Sequence, residues 1–124
     1  MKIERFEDIE SWKAGRELTK AIYSLTNKSA FSKDFGLKDQ IQRASVSITA
    51  NIAEGFDSKS NKAFINFLNY SYRSTSEIQS LLYAALDQDY INKDEFNKAY
   101  NQCTEVKKLI GGFIRYLKNN TPKN

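Results

Sequence analysis

Apolar residues return along this chain at helical rather than strand spacing. From about Glu7 to Thr26, Ile9, Trp12, Ala14, Leu18, Ala21, Ile22 and Leu25 gather on one side with charges opposite, predicting a first helix. Asn, Ser and Asp then break the pattern between Lys28 and Phe35. Phe31 and Phe35 are expected to fold back onto the end of the fold, with Ser32 or Asp34 capping the next helix. That second helix should span about Leu37 to Glu54, on a stripe of Leu37, Ile41, Ala44, Ile48 and Ile52. The run Ala44 to Thr49 is rich in β-branched residues, yet the helical stripe continues on both sides of it. Gly55 is expected to stop the helix in a left-handed conformation.

The third helix, about 60–86, has Ser60 as its expected N-cap. Phe64, Leu68, Ser71, Thr75, Ile78, Leu82 and Ala85 alternate steps of four and three, a heptad seam with a small polar middle. Ser71 and Thr75 either line a channel or let helices approach closely. The fourth helix, 93–118, opens on a capping-box pattern, Asn92 with Glu95, and carries the seam Phe96, Ala99, Cys103, Val106, Ile110, Phe113 and Leu117. Four amphipathic helices on short loops pack most simply as an antiparallel, up-down-up-down four-helix bundle, all-α, with residues 1–124 as one domain. The last two helices would each reach about 40 Å.

Composition narrows the chemistry. The chain has no histidine and one cysteine, Cys103. That excludes Ser-His-Asp and Cys-His catalysis, the usual zinc sites, the Glu-x-x-His pairs of di-iron bundles and an intramolecular disulfide. No Gly-rich phosphate loop is present. The reading is therefore a non-enzyme with no cofactor and no metal. The charged start, Met1 to Arg5, and the lack of any long apolar run lead to the expectation of a cytoplasmic protein without a membrane partner.

Net charge is +4, unevenly spread. From Val106 to Asn124 there are five cations, Lys107, Lys108, Arg115, Lys118 and Lys123, and no carboxylate, while the other 105 residues carry 14 cations against 15 anions. Lys108 and Arg115 lie seven apart and share a helix face. Phosphate backbones reward such a row by releasing counterions. The alternative is a solvated helix end whose cations complement the helix dipole. A second group, Lys59, Lys62 and Arg73 with Tyr70 and Tyr72, suits stacking of single-stranded bases, or else tyrosines at a subunit interface. Glu54 and Glu77 do not make a convincing acid–base pair, because no sugar-sized cleft accompanies them. Glu54 is expected to take hydrogen bonds at the end of the second helix, and Glu77 to pair with Arg43 or Arg73. Trp12 and Cys103 read as core.

The second helix carries Gln40 to Ile48 followed by Asn51-Ile52-Ala53-Glu54-Gly55. With Trp12 behind an acidic lead, Phe35-Gly36-Leu37, and Phe64 to Leu68 followed by Ser76-Glu77-Ile78, this resembles the four-helix-bundle proteins of the 23S rRNA intervening sequence family. The likeness covers nearly the whole chain, and the Asn-Ile-Ala-Glu-Gly stretch is its most specific part. Thr49 and Ser32 stand where many members have proline, so a proline kink in the second helix loses its cause. The resemblance implies a homopentamer around a central channel and no enzymatic activity. A related branch, the accessory proteins of diversity-generating retroelements, implies RNA or DNA and a reverse transcriptase as partners. Two functions follow as expectations: a self-assembling accessory or scaffold protein that binds RNA or a nucleoprotein partner through cations on the third and fourth helices, or a purely protein-binding oligomeric scaffold.

Overall fold

A computed structural model describes residues 3–120. Four long helices, α1 (Glu10–Thr26), α2 (Phe35–Phe56), α3 (Asn61–Asp87) and α4 (Lys93–Asn119), follow one another with two short 3-10 turns, Phe6–Asp8 and Phe31–Lys33. Each helix packs on its sequence neighbours, and α4 closes the ring on α1. Cross-helix contacts fix the directions. Thr19 Oγ1 donates to the Ser45 carbonyl and Gln42 Nε2 to Thr26 Oγ1, so α2 numbers fall as α1 numbers rise. Ser71 Oγ donates to the Ile48 carbonyl and Gln40 Nε2 to Glu77 Oε2, which runs α3 against α2. Gln79 reaches Tyr100 and Thr104, while Asn61 reaches Leu117, which runs α4 against α3. The bundle is up-down-up-down.

The seams named from periodicity meet at its centre. All seven α3 positions, Phe64 to Ala85, are buried. Ser71 and Thr75 are buried too: Ser71 bonds across to α2, and Thr75 Oγ1 bonds back to the Ser71 carbonyl at 2.8 Å. Within the chain Ser71 therefore ties α3 to α2, while Thr75 satisfies its hydroxyl on its own helix. On α4 the seam moves by one residue near its end. Ile114 is buried and Phe113 half-buried, because a straight helix drifts against a strict heptad.

The capping signals hold. Ser60 Oγ accepts from the Ala63 N–H. Asn92 and Glu95 form both bonds of a capping box. Asp34, rather than Ser32, caps α2: its Oδ1 accepts from the Leu37 N–H and its Oδ2 from the Tyr90 hydroxyl at 2.9 Å. That second bond raises the Tyr90 hydroxyl pKa.

Several expectations need correction. The first helix starts at Glu10, not Glu7, because Phe6–Asp8 wind as a 3-10 turn and Ile9 is extended, its side chain sunk in the core. The Asp8 carboxylate accepts from the Glu4 N–H, a bond that pulls its pKa down, and lies beside Arg5. The second helix runs two residues further at each end than expected. No glycine here has a positive φ. Gly55 is therefore an ordinary helical residue, and its role is steric: a Cβ placed on it would lie 2.6 Å from Phe64 Cδ1 and 2.9 Å from Phe67 Cβ. The left-handed stop belongs to Asp89 instead (φ 60°), where the Tyr90 N–H bonds to the Ala85 carbonyl and the Asp89 N–H to that of Leu86, a Schellman closure of α3. Phe31 folds onto the core and stacks on Tyr90, but Phe35 is 75% exposed. Glu77 meets Gln40 rather than a cation; Arg43 pairs with Asp39, and Glu54 is exposed.

Candidate nucleic-acid interface

The antiparallel pairing of α3 with α4 brings together two stretches that lack carboxylates. Residues 58–76 contain Lys59, Lys62 and Arg73 and no Asp or Glu; residues 106–120 contain Lys107, Lys108, Arg115 and Lys118 and none either. Because the start of α3 lies against the end of α4, as the Asn61–Leu117 bond records, the seven cations share one half of one helix pair. Among the described residues, ion pairs involve Arg5, Lys13, Lys20, Lys28 and Arg43, the Lys28 partner being Glu95. None of the seven has a carboxylate partner among the described residues. Six of the seven are exposed, and Lys107 is half-buried. Lys123 lies outside the described residues.

Local packing shapes this surface. Tyr72, Thr104, Lys107, Lys108, Gly111 and Arg115 line a shallow groove of about 360 Å³ between the two helices. Lys107 is held at its edge: Nζ donates to Gln79 Oε1 at 3.1 Å and stands 5.0 Å from the centre of the Tyr72 ring. Gln79 is itself fixed, since its Nε2 donates to Thr104 Oγ1 at 3.1 Å and to the Tyr100 carbonyl at 3.3 Å. A buried amide thus orients a surface cation.

The two tyrosines expected to act together are separated. Tyr72, 38% exposed, faces α4. Tyr70, 52% exposed, carries the Arg73 guanidinium 4.7 Å above its ring and meets Phe67 on the α2 side. An aromatic face backed by a guanidinium offers a stacking platform for a base. Lys59, Lys62, Lys108 and Lys118 are exposed. Among the signature residues, Ile52 and Gly55 are buried and Asn51 Nδ2 bonds to Ser47, so these stabilise α2, while Ala53 is half-buried. Sequence reasoning missed Gln79, Thr104 and Gly111. Gln79 had a signal, being four residues beyond Thr75 and so in phase with the α3 seam.

Cys103 takes no part. Burial pushes its thiol up to about 12, although nearby Lys107 pulls the other way, so it stays protonated and unreactive near neutral pH. Among the described residues no helix is long and apolar enough to cross a membrane.

The family model of the 23S rRNA-intervening sequence protein matches residues 7–112. Among solved structures, the chain resembles a protein of unknown function from the S23 ribosomal protein family of Bacteroides thetaiotaomicron, with 28% identity over 85% of this chain and 98% of that one and a TM-score of 0.76. No curated protein matches it.

Proposed function

This chain belongs to the 23S rRNA-intervening sequence protein family, and we propose that it is a non-enzymatic cytoplasmic accessory protein that assembles with itself and binds RNA through the α3/α4 surface. One observation carries the reading: seven cations that have no carboxylate partner among the described residues occupy two paired helix segments that contain no Asp or Glu. Cations neutralised inside a fold add little to RNA affinity, whereas unpaired ones release the counterions of each phosphate they meet. Tyr70 under Arg73 adds a base-stacking face, which favours single-stranded segments.

Binding to a labelled RNA oligonucleotide, titrated across sodium chloride concentrations, tests this. Affinity should fall as a power of salt, with an exponent of about 2 to 3 if roughly half of the cations engage phosphates. No measurable binding near about 0.15 M salt would refute the RNA role. Light scattering tests assembly: the expected particle is a pentamer of the 14.3 kDa chain, and a monomer would refute self-assembly. A second reading, a protein-binding scaffold, draws on Phe35 and Tyr83, which are 75% and 52% exposed and stand outside the basic surface. Under that reading the salt titration shows no RNA binding while the oligomer persists.

A further inference from the structure

Gly111 lies well inside the 27-residue helix α4, where glycine is unfavourable because it orders more backbone freedom than any other residue and buries nothing. Two other helical glycines, Gly15 and Gly55, have a packing reason. A Cβ on Gly15 would approach Ile48 Cγ2 to 2.9 Å, and one on Gly55 would collide with Phe64. Gly111 has no such reason: its Cβ would meet only the Arg115 Nη1, at an ordinary 3.7 Å. Its neighbour Gly112 is the same in this respect, with Arg115 Nη2 at 3.8 Å. What separates the two is position, since Gly111 lines the groove between α3 and α4 and Gly112 does not.

We propose that Gly111 is the floor of a phosphate seat, where its missing side chain lets one RNA phosphodiester settle against α4 between Lys108 and Arg115. The proposal rests on the RNA-binding reading and adds a specific site to it. Arg115 lies across the glycine pair and Lys108 is exposed, neither with a carboxylate partner among the described residues. Lys107, held by Gln79 and Tyr72, makes a third positive wall that is already oriented before a ligand arrives. Preorganised donors around a concave floor favour a compact anion over the diffuse attraction of a flat basic surface.

The test compares Gly111→Ala with Gly112→Ala, using a fluorescein-labelled RNA oligonucleotide, thermal melting and light scattering. Both substitutions should raise Tm by about 4 °C through helix propensity. Only Gly111→Ala should weaken RNA binding, by about fivefold near physiological salt, and flatten the salt exponent by about one, as loss of one phosphate contact requires. Equal RNA affinity for the two variants would overturn the seat while leaving the wider RNA-binding surface in place. A lowered Tm or a changed particle size for Gly111→Ala would also overturn it, by giving the glycine a packing or assembly role. Failure of the unaltered protein to bind RNA would remove both readings together.

Discussion

Reversing two charges on α4, Lys108→Glu with Arg115→Glu, is expected to lower RNA affinity on the order of 100-fold at physiological salt. Losing two phosphate contacts accounts for about 30-fold of this, and repulsion between each new carboxylate and the RNA supplies the rest. The salt exponent should flatten by about two. Folding should survive, because both side chains are exposed, neither has a carboxylate partner among the described residues, and glutamate is a good helix former. Only a small loss is expected from placing negative charge near the end of α4. The matched control is Lys13→Glu with Lys20→Glu. These α1 lysines already face Glu10 and Glu17, so the control changes net charge equally at a surface where the cations are neutralised. An equal loss of affinity in the control would mean that overall charge governs binding.

The second large effect concerns the fold. Gly55→Ala should destabilise the protein by about 1–2 kcal/mol, even though alanine is the better helix former by about 1 kcal/mol. The added methyl would overlap Phe64, whose ring is wedged edge-to-face against Phe56 and Phe113, and Phe67 Cβ, which is anchored to the α3 backbone and cannot swing aside. Relief requires α2 and α3 to move apart along their shared seam. The same substitution at Gly112, where only the end of Arg115 is near, should instead stabilise by about 1 kcal/mol. Denaturant melts of the two variants should move in opposite directions. A gain at Gly55 would show that the α2–α3 contact is looser than its distances indicate.

Gly55 also marks how far the sequence could be read. Periodicity located every buried α3 residue except Gln79, and the caps at Ser60 and Asn92 were legible because capping is a local exchange of hydrogen bonds. What glycine does at Gly55 depends on a ring nine residues away on another helix, which spacing does not report. Left-handed termination was expected from the residue type but occurs at Asp89, where the Schellman bonds offset the cost of a side chain at positive φ. Phe35 illustrates the reverse case: an apolar residue expected to pack from a loop is instead the first residue of α2 and stays exposed, while Phe31 docks on Tyr90.

The candidate interface was partly legible for the same reason. A segment free of carboxylates can be seen on one helix, and the basic end of α4 was. Its pairing with the basic start of α3 is a tertiary fact, as is the division of labour between Tyr70 and Tyr72, which point to opposite neighbours from positions only two residues apart. Gln79 joins the two levels, since a polar residue in seam phase signals burial but not that its partner is Lys107.

Ultraviolet crosslinking of the assembled protein to a uridine-rich RNA oligonucleotide, with the crosslinked peptides identified by mass spectrometry, tests the central claim most directly. The predicted result is crosslinking confined to two segments, Lys59 to Arg73 at the start of α3 and Thr104 to Lys118 on α4, with Tyr70 and Tyr72 among the modified residues. Crosslinks concentrated on α1 or the outer face of α2, or spread evenly over the bundle, would contradict it.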